Sequence, residues 1–297
     1  GLLAHITQAK FCHHLPLYRQ ESIWNGLGVH IPRSSMCRWL STMGEKVTPL
    51  VEEIMEQVKL EPVVQADETP VTVINEANKK PEASSHRGYM WVYCNKAGVV
   101  YEYKSSRAGK HPLEVLDEFT GYVQTDAYAG YNALFRGNKD RYSVGCWAHA
   151  RRKFTDIIKA KGKKKAPPYT RKILDLIGAL YKLEKSMKLR NISLENKQTE
   201  REEKALPILA QIKETLDGIV LKTPPTSLLG KAIAYALNNW RALTRYVENG
   251  HIDIDNNAAE RAIKPFVIGR KNWLFSGNTK GAKASANLYT LIENAKL

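Results

Sequence analysis

Asp67 interrupts an otherwise apolar, strand-like run, Val63-Val64-Gln65-Ala66-Asp67-Glu68-Thr69-Pro70-Val71. A strand of this composition belongs near the centre of a sheet. Burying an unpaired carboxylate there is expensive, so the fold must bring a cation or a hydrogen-bond donor to it. Glu68 alternates to the opposite face. A second acid, Asp126, ends a similar segment, Tyr122-Val123-Gln124-Thr125-Asp126. On neighbouring strands the two carboxylates would meet at one edge of the sheet. Taken singly, each has an ordinary alternative as a turn former or helix-capping residue.

The hydrophobic period changes repeatedly along the chain. Residues 1 to about 60 read as helical, with a segment from Leu15 to Trp24, a turn at Gly28, and a second helix opened by Pro32 and Arg33. In this helix-turn-helix-like pattern Ser34, Ser35 and Arg38 either touch DNA or lie on the solvated face of an ordinary helical hairpin. Val63 to Ile74, Tyr89 to Asn95 and Val99 to Lys104 then read as strands, the last two joined by a turn at Lys96-Ala97-Gly98. A helix over Pro112 to Phe119 and short strands over Tyr122 to Ala127 and Tyr142 to Ala148 follow. Strand, hairpin, helix, strand, strand is the order of a ribonuclease H-like α/β fold, a mixed sheet flanked by helices. From Arg151 to Gly250 the pattern is all-helical, with residues 185 to 205 read as an exposed helix or a mobile connection. Four regions are expected: 1–60, an N-terminal helical, helix-turn-helix-like DNA-binding region; 61–154, the first part of the catalytic core; 155–250, an all-helical insertion; and 251–297, the C-terminal part of the core carrying Glu260.

The formal net charge of +15 over 297 residues favours a polyanionic partner, since Lys and Arg release counterions from phosphates. The four cysteines form no Cys-x-x-Cys pair. Cys146 and His149 have zinc-ligand spacing but lack a second ligand pair, and the thiols read as reduced and buried. No apolar run reaches about 18 residues and no signal peptide is visible, so a soluble, intracellular protein is expected.

Glu260 sits in Ile254-Asp255-Asn256-Asn257-Ala258-Ala259-Glu260-Arg261-Ala262-Ile263-Lys264. On a helix Asn257, Glu260 and Lys264 share one face, with Arg261 adjacent. An amide, an acid and an amine on one stripe can hold a metal ion and orient phosphates. The ordinary alternative is an exposed Glu–Lys pair on a solvated helix. His149 and Arg151 open the helix after the fifth strand, where His149 either steadies a phosphate or water or is structural. Arg151, Arg152, Lys153, the Lys161 to Lys165 cluster, and Arg270-Lys271 beside Trp273 add cationic surface.

The segments Gln65-Ala66-Asp67-Glu68-Thr69-Pro70, Gln124-Thr125-Asp126-Ala127-Tyr128-Ala129-Gly130-Tyr131-Asn132, Gly145-Cys146-Trp147-Ala148-His149-Ala150-Arg151-Arg152-Lys153-Phe154 and Asp255-Asn256-Asn257-Ala258-Ala259-Glu260-Arg261 through Gly269-Arg270-Lys271-Asn272-Trp273-Leu274-Phe275 occur in this order. Together with Leu15-Pro16-Leu17-Tyr18-Arg19-Gln20-Glu21, they resemble the insertion-sequence-66 family of bacterial transposases. The resemblance implies a triad of Asp67, Asp126 and Glu260. It also implies two Mg²⁺ ions, replaceable by Mn²⁺, with Asp67 bridging and Asp126 and Glu260 each serving one ion. The implied activity is metal-dependent DNA cleavage followed by 3′-hydroxyl strand transfer. Family members carry an upstream zinc-containing DNA-binding region that this sequence, which begins with Gly, is expected to lack. The implied partners are double-stranded element ends and target DNA, in a homodimer or larger assembly and with room for accessory transposition proteins. The implied location is the bacterial cytoplasm, at the nucleoid. Two other readings stand beside it: a resolvase-like nuclease of the same fold, and a DNA-binding derivative that has lost catalysis.

Overall fold

The computed structural model describes residues 1–74, 85–162 and 164–297. In chain order the helices α1 (Leu2–Phe11), α2 (Leu17–Gly26), α3 (Arg33–Lys46) and α4 (Thr48–Leu60) precede strands β1 (Val63–Ile74), β2 (Ser85–Cys94) and β3 (Val99–Lys104). Helix α5 (Lys110–Val115), strand β4 (Gly121–Gln124), a 3₁₀ turn over Ala129–Phe135 and strand β5 (Arg141–Val144) come next. Helices α6 (Trp147–Lys161), α7 (Pro168–Leu189), α8 (Leu194–Val220), α9 (Leu228–Asn238) and α10 (Trp240–Thr244) lead to α11 (Asn257–Trp273), β6 (Phe275–Ser276) and α12 (Thr279–Asn294). The fold is therefore mixed α/β. No helix among the described residues is long and apolar enough to cross a membrane.

The chain packs as two compact units. The first comprises Gly1–Phe119, Gly130–Arg136 and Ala258–Leu297. Val63, Val64, Thr69, Val71 and Val73 give β1 the β-branched character of a strand. It pairs antiparallel with β2, Asp67 opposite Val92, and β2 pairs antiparallel with β3. The two-residue β6 adds a parallel pairing at Thr72 and Val73. One face of these strands carries Val71, Val73, Met90, Val92, Tyr101 and Tyr103 into a core shared with Ile263 and Phe266 of α11, Leu288 and Tyr289 of α12, and Phe11, Met36 and Leu40 of the N-terminal helices. Tyr289 is its centre: the rings of Phe11 and Phe266 meet it edge-on at 5.0 and 5.4 Å. A Cβ on Gly44 would lie 2.6 Å from the Ala284 backbone, so α3 and α12 touch through their smallest side chains.

The second unit comprises Thr120–Ala129 and Gly137–Asn257, with β4 and β5 paired in parallel. Its helices include the charged stretch 185–205, which is neither exposed throughout nor a mobile connection: α7 runs to Leu189 and α8 begins at Leu194. Within it, the Arg201 side chain is fully buried. Its guanidinium donates to both carboxylate oxygens of Glu184 at 2.8 Å, and to the carbonyls of Tyr246, Asn249 and Ile252 at 2.7–3.0 Å. The planar fork matches this set, as a lysine could not. Three further side chains hold the segment that follows. Gln124 donates to the Asp253 carbonyl at 2.7 Å, Tyr181 donates to the Asp255 carboxylate at 2.8 Å, and the Cys146 sulfur accepts the Asn256 amide at 3.3 Å.

Removing Arg201 leaves Glu184 and three carbonyls without their donor. Arg201→Met is expected to lower stability by about 3–5 kcal/mol, read from urea unfolding. A change within experimental error would show that the network is dispensable.

Candidate active site

Helix α11 is built onto β1. Its first turn exposes backbone amides that have no partner within the helix. The Asp255 carboxylate accepts the Asn257 amide at 3.1 Å. Further in, the Ala259 amide donates to the Gln65 side chain at 3.3 Å, a buried bond between residues 194 apart in sequence. Gln65 and Asp67 lie two positions apart on one face of β1. The residue before Glu260 is thus fastened to the strand face that carries Asp67. Tyr101 of β3 donates its hydroxyl to the Ala262 carbonyl, next to the place where Pro265 removes a helix hydrogen bond. Arg270, near the other end, donates to the Thr69 hydroxyl at 3.0 Å and to the Pro70 carbonyl. Burial and the nearby Arg87 charge lower its pKa from the usual guanidinium value. Arg270 therefore anchors α11 to β1 through Nη1.

Asp67 and Glu260 are both half-buried. Asp67 Oδ1 accepts the Glu68 amide at 2.9 Å. Glu68 does face the other way. Its side chain is 1% exposed, pairs with Arg107 and accepts the Tyr131 hydroxyl at 2.5 Å. Burial, then the Glu68 charge, raises the Tyr131 pKa well above its usual value, so Tyr131 remains a donor. Along α11, Asn257 is half-buried while Arg261, Lys264 and Lys271 are exposed, leaving three cationic groups open to an anionic ligand.

In the second unit Asp126 lies beyond its strand, since β4 stops at Gln124. Asp126 Oδ1 accepts the Tyr128 amide at 2.9 Å, and its carbonyl accepts the Tyr235 hydroxyl at 3.2 Å. Ala127 takes a left-handed conformation, φ +68°. The acid thus sits in a hydrogen-bonded turn. His149, Arg151 and Arg152 lie in the first turns of α6, half-buried, exposed and exposed respectively. Cys146 precedes that helix, and burial pushes its thiol up to about 11. Lys161, Lys164 and Lys165 are exposed, and Lys163 lies outside the described residues. In the N-terminal pair Ser34 and Arg38 are exposed and Ser35 is half-buried, all on α3. The Glu21 carboxylate of α2 accepts the Arg33 amide at 2.6 Å and so fixes the start of α3.

Gln65, Arg107, Tyr131 and Tyr181 did not stand out in the sequence. For Gln65 a signal existed: a second polar residue in an apolar strand, in step with Asp67. Gln65→Leu leaves a buried amide without its acceptor and is expected to cost about 1–3 kcal/mol. It should also speed hydrogen exchange at Ala259. Wild-type exchange there would show that the strand does not cap the helix.

The sequence profile described as "Transposase IS66 family" matches residues 1–284. Among curated proteins of Sinorhizobium fredii (strain NBRC 101917 / NGR234), the uncharacterized protein y4jD is 31% identical over 307 residues and y4qI is 32% identical over 311. Both alignments take in 100% of this chain, which spans 59% and 56% of those two proteins. A match of this extent, carried through β1, α6 and α11 alike, places the chain in the IS66 transposase family.

Proposed function

We propose that the chain is the catalytic portion of a transposase that cuts DNA at the ends of an insertion sequence and joins the freed 3′-hydroxyl to target DNA. Family membership supports this reading. The observation that carries it is the bond between Gln65 and the Ala259 amide, which ties the helix bearing Glu260 to the strand bearing Asp67. We assign Asp67, Asp126 and Glu260 as the catalytic acids on a ribonuclease H-like core, with the four-region division set out above.

The donor set suits a hard divalent cation: all three side chains are carboxylates and all are half-buried, neither sealed in the core nor fully solvated. Asp67, Asp126 and Glu260 would hold Mg²⁺ or Mn²⁺, which when bound supplies Lewis-acid polarisation of the phosphodiester and activation of the attacking oxygen. The chain's own groups do the rest. Lys264 and Arg261 draw phosphates towards the start of α11 and set the strand's register. The side-chain amide of Asn257 orients a phosphate oxygen. Glu68, held by Arg107 and Tyr131, fixes the backbone that aims Asp67. Double-stranded element ends and target DNA are the expected partners, with an assembly of two or more copies on paired ends and a cytoplasmic setting.

Asp67→Asn and Glu260→Gln should each lower metal-dependent nicking by about 10²–10³-fold or more, while duplex binding in gel-shift assays stays close to wild type. Nicking at the wild-type rate in either variant would refute the assignment. With pre-cleaved ends, wild-type protein should yield joined strand-transfer products. Cutting without joining would make it a resolvase-like nuclease.

A further inference from the structure

The first unit holds a groove of about 780 Å³ between the end of α1, the starts of α2 and α3, and the segment from Asn272 to the first turns of α12. Its lining includes Lys10, Arg33 and Arg38 and contains no aspartate or glutamate. Among the described residues no ion pair joins these three to an acid. A fourth cation, Lys280 on the rim, pairs with Glu45 at 2.7 Å. The Lys10 ammonium lies 5.5 Å from the Trp273 ring centre, and burial lowers its pKa to about 8, so it is a partly desolvated cation at neutral pH. The walls are aromatic as well as basic. Tyr18 is 48% exposed and Phe275 47%. Leu274, 64% exposed, has φ +66°, a backbone state that a leucine rarely adopts and that the surrounding structure must hold.

No salt bridge among the described residues accounts for Lys10, Arg33 and Arg38, and Arg19, 5.7 Å from the centre of the Tyr18 ring, brings another guanidinium to that ring. Solvent-exposed aromatic rings beside cations without an acid partner are what binds a nucleic-acid strand with its bases unstacked: rings stack on rings while phosphates meet Lys and Arg. The volume falls in the range of pockets that enclose small ligands, about 300–1,000 Å³. It suits a few nucleotides of one strand and is too small for a duplex. We propose that this groove binds a short stretch of single-stranded DNA. The proposal rests on the DNA-processing reading above and adds a site for an unpaired strand, at which Arg38 would contact the phosphates of that strand.

The test uses the whole chain in EDTA, so that no cleavage occurs, and a fluorescent short oligothymidine followed by anisotropy. The oligothymidine should bind more tightly than a duplex of the same length. Tyr18→Ala and Phe275→Ala, both surface changes, should each weaken it by about 5- to 150-fold without moving the melting temperature. Arg38→Glu should flatten the salt dependence. Bound oligothymidine should also slow alkylation of Cys37, an exposed thiol on the groove wall, in the unaltered protein. Unchanged affinity in both aromatic variants would overturn the proposal. So would an unprotected Cys37, or displacement of the oligothymidine by poly-glutamate at equal charge. Asp67→Asn separates the two claims. If it nicks like wild type, the transposase reading fails while the anisotropy result stands. If it is inactive but the groove variants bind normally, only the groove proposal fails.

Discussion

A helix cannot be laid against a sheet with its leading amides buried and unanswered. The start of α11 meets this constraint with acceptors from outside the helix: Asp255 for the Asn257 amide and Gln65 for the Ala259 amide. The second bond has the wider consequences, because it fixes the angular position of α11 on β1 and hence the direction in which Glu260 leaves the helix. Tyr101 and Arg270 then set the axis. Three attachments to two strands leave the helix little freedom to slide or roll. A carboxylate that must meet a partner within a fraction of an ångström needs this kind of support.

The second unit solves a related problem with a single side chain. Arg201 gathers Glu184 and three carbonyls of the Tyr246–Ile252 stretch, backbone that forms little regular structure of its own. Fully buried ion pairs are costly to desolvate, and a hydrophobic replacement of equal volume often does as well. Here the carbonyls change the balance: an apolar substitute would satisfy none of them. The gain is specificity of backbone path in the segment that leads directly into α11.

Much of this was legible in the sequence. The spans of β1 and β3 were found as read, and so was the turn at Lys96-Ala97-Gly98, because Val, Tyr and Thr density and Gly punctuation are local signals. Asp67 and Glu68 parted to opposite faces as strand alternation requires, and Asn257, Glu260 and Lys264 fell on one helix. The misses have a common cause. Arg201 looked like part of a solvated charged run because, besides Glu184, its acceptors are backbone atoms some 45 to 51 residues away, and carbonyls leave no trace in composition. The hold of Arg270 on β1 was equally hidden, its acceptors lying 200 and 201 positions upstream. The strand before Asp126 was read too long. Thr125 and Asp126 continue the alternation of Tyr122 to Gln124, and only the turn through Ala127 reveals that the sheet has already ended. Gln65 showed only as a second polar residue in step with Asp67, and its partner, the Ala259 amide, became visible only with the helix in place.

The reach of the Gln65–Ala259 bond also bears on the order in which the protein is made. Loop-closure entropy makes such distant pairings late events. During synthesis β1 emerges before α11, and until α11 follows, Asp67 exists without the helix that Gln65 will later hold. A nascent, nicked or prematurely terminated chain ending before α11 carries neither Glu260 nor the stop for its strand face. The proposed triad is therefore incomplete until α11 has been made.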